Sequence, residues 1–223
     1  MTTEIVGLTM PRMIEKLVHI PAGDVELEGM LALPEDASGL VVFSHGSGSS
    51  RKSPRNNFVA EIIRERGLGT LLFDLLTASE DQMREHRFDI QLLTDRLVET
   101  TAWLQTRDAT RGLHMGYFGS STGAASALRA ASLLEGDIGA IVSRGGRVDL
   151  AADVLESISS PALFIVGGAD THVLELNRAA YEQLSCEKNL HVVPEAGHLF
   201  EGPGELEEVA DVAADWFEHA LQR

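Results

Sequence analysis

The chain has 223 residues, 18 basic against 34 acidic side chains, a formal net charge of −16 and 44% apolar content. That length suits a single domain over 1–223, and a chain of this size buries roughly 70% of its unfolded surface without staples. With 23% charged residues, a collagen-like, low-complexity or disordered chain is excluded. The acidic excess excludes nucleic acid and anionic membrane surfaces as partners, because both are bound by clustered Lys and Arg. Cys186 is alone, so no intramolecular disulfide forms, and it reads as a small hydrophobe. The opening MTTEIVGLTMPRMIEK holds no apolar core of a secretory leader. No apolar run reaches the roughly 18 residues of a membrane span. A cytoplasmic protein is expected.

In chain order, 14–20 and 25–33 read as a pair of strands joined by Pro21-Ala22-Gly23-Asp24. Residues 40–44 (LVVFS) form a short apolar run suited to a strand covered on both sides. A helix follows, with Ser53 as N-cap, Pro54 at its first position, and Gly67 as its stop. The alternation continues through strand 68–73, helix 89–107, strand 113–118, helix 122–134 and strand 138–142. Strand 161–166, helix 174–184, strand 189–193 and helix 204–221 complete it. Strands separated by helical crossovers predict an α/β fold, a mostly parallel sheet with helices on both faces. Only 75–88 lacks a pattern, and connections that long are often functional.

Gly119-Ser120-Ser121-Thr122-Gly123 matches G-x-S-x-G between a predicted strand and a predicted helix. A nucleophile on such a turn projects from the sheet edge, with the helix dipole beside it. A serine hydroxyl needs a base. Of eight histidines, His198 lies in the turn between the last strand and last helix, at the carboxyl edge of the sheet where Ser121 also lies. His114 and His191 fall inside strands and His219 near the chain end, out of reach of that turn. Asp170, after strand 161–166, completes the order Ser, Asp, His, with Asp149 as its rival. Oxyanion donors are expected from the backbone N–H groups of Thr122 and of Ser47, in the loop Ser44-His45-Gly46-Ser47-Gly48-Ser49-Ser50. That loop also reads as a phosphate cradle beside Arg51 and Lys52, but lacks the Gly-Lys-Ser/Thr ending of a nucleotide loop. Arg144 and Arg147, after strand 138–142, are candidates for holding a substrate carboxylate, against a structural role bracing Asp149 or the Asp170 turn.

The HGSGSS loop, GSSTGA turn, VGGAD turn and AGHLF turn resemble the α/β-hydrolase superfamily. More closely, they are similar to small, lidless bacterial proteins called dienelactone-hydrolase-like, over about 14–221. The resemblance implies a three-layer fold, an eight-stranded mostly parallel sheet with an antiparallel second strand and no large cap. It implies hydrolysis of a small ester-type substrate (carboxylic ester, lactone or thioester) by a Ser121-His198-Asp170 triad. True dienelactone hydrolases carry a cysteine where this chain has Ser121. Some relatives are fused to a phosphoribosyltransferase domain, an activity that no pattern here supports. No cofactor is expected. HExxH, His-x-His and paired cysteines are absent from the sequence, and Gly46-Ser47-Gly48 lacks the third glycine of a dinucleotide loop, Arg51 standing in its place. The alternative is a non-catalytic ligand-binding protein of the same fold. With no insertion after strand 138–142, an open site walled by 75–88 and the loop after Gly48 is expected, with 75–88 as a lid the rival reading.

Overall fold

Eight strands form one sheet in the order β1-β2-β4-β3-β5-β6-β7-β8. The computed structural model describes residues 13–222. Most of the stretch read for a leader lies outside them. β1 (Met13–Ala22) and β2 (Val25–Pro34) make an antiparallel hairpin, and β2 runs antiparallel to β4 (Gly69–Phe73). The remaining pairs are parallel, through β3 (Gly39–Ser44), β5 (His114–Ser120), β6 (Ile138–Arg144), β7 (Ala162–Gly167) and β8 (Lys188–Val193). The mixed eight-stranded sheet is thus the one expected. Every residue of β3 is buried, which is why its sequence is an unbroken apolar run rather than an alternation.

Helices α1 (Pro54–Glu65) and α6 (Glu205–Leu221) cover one face of the sheet. α3 (Ile90–Gln105), α4 (Thr122–Leu133) and α5 (Thr171–Gln183) cover the other. α1 starts as its sequence dictates: Ser53 Oγ accepts the N–H of Asn56, and Pro54 follows at the first helical position. Asp89 caps α3 by accepting the N–H of Leu92 at 3.0 Å.

Three segments differ from the sequence reading. The unpatterned 75–88 stretch holds a 3-10 turn (Glu80–Gln82) and the one-turn helix α2 (Arg84–Arg87). Val148–Ser157 winds as 3-10 helix, unassigned above because non-helical geometry at Ala151 breaks its period. β6 also continues to Arg144, pairing there with Ser120 and Ile165, so that residue ends the strand rather than following it. No cap domain stands between β6 and β7 among the described residues, and no helix among them is long and apolar enough to cross a membrane. The parallel strands all end at one edge, at Ser44, Phe73, Ser120, Arg144, Gly167 and Val193.

Candidate active site

Ser121 is the single residue between β5 and α4, and it holds φ 52° and ψ −120°. An L-residue with a side chain pays about 1–3 kcal/mol for such backbone, so surrounding contacts must impose it. They do. Its N–H donates to Arg144 O at 3.1 Å, and its carbonyl accepts the N–H groups of Arg147 (3.0 Å) and Ala124 (3.1 Å). Gly123 lets the turn settle onto the end of β3, because a Cβ there would stand 2.6 Å from the His45 carbonyl oxygen. The hydroxyls of Ser44 and Ser126 close the same seam at 2.8 Å.

Asp170 and His198 meet across neighbouring turns, Nδ1 to Oδ2 at 2.7 Å, with the carboxylate largely buried and the imidazole 40% exposed. An ionised carboxylate only accepts, so Nδ1 carries a proton, and in the neutral ring the lone pair is on Nε2. The approach depends on Gly167, where a Cβ would overlap Ala196 O and stand 2.7 Å from Gly197 O. The turns are laced by Gly168 N–H to Val193 O (2.8 Å) and Ala169 N–H to Ala196 O (3.0 Å). Glu195 and Phe200 flank the histidine with positive φ, and the buried Phe200 ring fastens the turn to the core. The imidazole also lies against Gly145, whose Cβ would fall 3.3 Å from both Cε1 and Nδ1. Gly145 directly follows Arg144, the acceptor of the Ser121 N–H. His198 and the Ser121 turn therefore rest on adjacent residues of one strand end.

Asp149, the rival acid, is engaged elsewhere. Its two oxygens accept from Arg147 Nε and Nη2, both at 2.8 Å. Those bonds hold its carboxyl below the usual range and raise the guanidinium. Arg147 is thereby committed as a brace.

The loop after β3 reaches the Ser121 turn. Ser47 N–H donates to Thr122 Oγ1 at 2.9 Å, so the expected oxyanion donor has a partner in the resting protein. His45 fixes this loop in a way that sequence reasoning missed. Its Nε2 accepts the N–H of Leu75 at 3.1 Å, which leaves Nδ1 to donate to Gly46 O at 3.0 Å. Burial pushes its pKa down, keeping it neutral in that tautomer. Of the two cations in the phosphate-cradle reading, Arg51 pairs with Asp74 and Glu28, each at 2.5 Å. A cavity of about 480 Å³ beyond that loop is lined by Glu26, Glu28, Asp74 and Asp81 among others, and not by Ser121, Asp170 or His198. Among the described residues, no group of three His, Cys, Asp or Glu side chains is placed to hold a metal ion.

Sheet order and helical layers define the class: an α/β-hydrolase fold. The chain is 49% identical to a dienelactone hydrolase from Anabaena variabilis over 94% of this chain and 99% of that one, with a TM-score of 0.92. Est1E from Butyrivibrio proteoclasticus shares the fold at a TM-score of 0.80, with 16% identity over 93% of this chain and 99% of that one. A Mycobacterium tuberculosis protein named "Putative phosphoribosyl transferase" is 52% identical over 207 residues, 93% of this chain and 47% of its own length. The chain thus spans about half the length of the curated relatives it matches. No protein-family model matches it. On the Anabaena match, the chain belongs to the dienelactone hydrolase family.

Proposed function

We propose that the protein is a serine hydrolase acting on small ester-type substrates through an acyl-enzyme. The observation that carries this reading is the Asp170–His198 hydrogen bond, which engages Nδ1 and leaves Nε2 as the ring's free nitrogen, on a histidine that packs against Gly145 beside the strained Ser121 turn. In the proposed mechanism Nε2 takes the Ser121 proton as Oγ attacks the substrate carbonyl. The tetrahedral oxyanion draws on the N–H of Thr122, at the first turn of α4, and on that of Ser47 once it leaves the Thr122 hydroxyl. The protonated imidazole, stabilised by Asp170, then protonates the leaving alcohol. Water, deprotonated by Nε2, releases the acid from Ser121.

The name of the Anabaena protein, a dienelactone hydrolase, agrees with an ester-type reaction. The transferase name of the Mycobacterium protein is not extended to this chain, which matches only half of it. The acidic charge and lone Cys186 support a cytoplasmic enzyme with a small-molecule partner.

A fluorophosphonate probe tests the reading. Stoichiometric labelling of the wild type, lost in Ser121→Ala and kept in Ser120→Ala, is expected, together with turnover of p-nitrophenyl acetate that follows the same pattern. Activity surviving in Ser121→Ala, or a wild type that neither labels nor turns over, defeats it and leaves the non-catalytic binder.

A further inference from the structure

The Ser121 carbonyl and the Thr122 N–H belong to one planar peptide, so whatever holds the carbonyl also sets the direction of the N–H. That carbonyl accepts the N–H groups of Arg147 at 3.0 Å and Ala124 at 3.1 Å. The Thr122 N–H, at the first position of α4, has no acceptor within its helix. The Arg147 N–H belongs in turn to the Gly146–Arg147 peptide, whose carbonyl oxygen accepts Asn177 Nδ2 at 2.8 Å. Hydrogen bonds therefore run in series from Asn177 through two peptide planes, and the last N–H of the series is that of Thr122.

Asn177 lies fully buried in α5. Both hydrogens of its amide are engaged, one on Gly146 O and the other on Val173 O at 2.8 Å, four residues back in its own helix. Its Oδ1 is shut off from solvent and has no hydrogen-bond partner. An amide buried with its acceptor unmet costs stability that a leucine of similar size would not, so the two donors are what the residue supplies. The peptide it holds is closely fitted: a Cβ on Gly146 would overlap Ser143 Oγ and stand 2.7 Å from Ala124 Cβ. α5 opens at Asp170, whose carbonyl accepts the Leu174 N–H at 2.9 Å, so the helix that follows the triad acid also carries Asn177.

We propose that Asn177 is a positioning residue for the oxyanion donor: through the Gly146–Arg147 peptide it holds the Ser121–Thr122 peptide and aims the Thr122 N–H. Each bond in the series draws electron density toward the carbonyl oxygen it meets and leaves the N–H of that peptide a stronger donor. Asn177 touches neither substrate nor the reacting atoms. The proposal rests on the hydrolase reading above for the oxyanion, while the hydrogen-bond series stands without it.

Two variants separate this role from simple bracing of α5. Asn177→Leu removes both donors at similar volume. Asn177→Thr offers one hydroxyl to the carbonyl four residues back and leaves Gly146 O unmet. Thr94 bonds Ile90 O at 2.6 Å and Thr101 bonds Leu97 O at 2.9 Å in that way. Per active site counted by fluorophosphonate labelling, kcat/KM for p-nitrophenyl acetate is expected to fall roughly 5- to 50-fold in both variants, less than the about 10²–10³ of a deleted oxyanion donor. An aryl trifluoromethyl ketone forms an adduct on Ser121 that carries the oxyanion, and its inhibition constant is expected to rise by the same factor. Threonine restoring the wild-type rate would make Asn177 a helix brace, and a rate loss with ketone binding unchanged would detach it from the oxyanion. Either result overturns the proposal. Backbone amide NMR supplies an arm independent of turnover: the Arg147 and Thr122 N–H signals are expected to move together in both variants, and an unmoved Thr122 signal overturns the proposal. Should Asn177→Leu fail to fold, Asn177→Thr serves in every arm with the same outcomes. A wild type without labelling or turnover sinks the hydrolase reading alone. A labelled, active wild type matched by both variants sinks the Asn177 proposal alone.

Discussion

Gly167→Ala puts one methyl between the turn that carries Asp170 and the turn that carries His198. That methyl overlaps Ala196 O and lies 2.7 Å from Gly197 O, so the turns must part by roughly 1 Å to restore ordinary contact. The Ala169–Ala196 bond at 3.0 Å and the Asp170–His198 bond at 2.7 Å span that same gap, and both stretch beyond hydrogen-bonding range. Overpacking of this kind costs about 1–3 kcal/mol, or a melting temperature lower by roughly 2–10 °C in a domain of this size. The catalytic loss is larger. A misplacement of about 1 Å costs about a hundredfold, and losing the acid's control of the tautomer about 10⁴. Turnover of p-nitrophenyl acetate by Gly167→Ala is therefore expected to fall between those limits. Gly197→Ala is the control, because a Cβ there meets nothing within 4 Å, and it should stay within a few-fold of wild type. A Gly167→Ala enzyme retaining a third of its rate, or equal losses in the two variants, would refute the reasoning.

Ser121→Gly and Ser121→Ala should both be inactive, but glycine relieves the positive φ, so it should melt about 2–4 °C above alanine. Alanine as the more stable of the two would show that the turn is unstrained. Thr122→Val removes the hydroxyl that engages Ser47 N–H and should leave kcat unchanged or higher. A hundredfold fall would make that hydroxyl the oxyanion donor instead. His45 is held neutral in the fold with a lowered pKa, while in the unfolded chain it protonates near its ordinary value of about 6.5. Stability should therefore drop as pH falls from about 7 to 5, and His45→Gln should show a shallower slope in thermal melts across that window; identical slopes would rule the group out. Rates across p-nitrophenyl acetate, butyrate, octanoate and palmitate should peak at the short chains; a maximum at palmitate would make 75–88 a lid over a long acyl site.

The strands and long helices were legible because burial writes itself into sequence as period. β3 and β5 are covered on both faces and read as apolar runs, while α6 sets its stripe at helical spacing. Val148–Ser157 was not legible, since 3-10 winding interrupted at Ala151 follows neither period. The segment 75–88 is held by side chains distant in sequence. Arg96 reaches Glu80 at 3.2 Å and Leu75 N–H reaches His45, and neither partner is marked by spacing.

In the site, Ser121, Asp170 and His198 stood out because each closes a strand at one sheet edge, so topology alone brought them near one another. The sequence preferred Asp170 by chain order and kept Asp149 as its rival. Both follow strands at that edge, and only the side-chain geometry spends Asp149 on Arg147 and Asp170 on His198. The same fact separates the two arginines that sequence could only pair. Arg147 lies two residues from its carboxylate and closes on it, whereas Arg144, the last residue of β6, forms no ion pair among the described residues. A residue whose side chain is satisfied within its own loop has little left to offer a ligand. One held at a strand end, with its backbone gripping the Ser121 turn, keeps its place whether or not its charge is met. The position of Arg144 is thus set by the sheet, and its Nη1 is left without a hydrogen-bond partner.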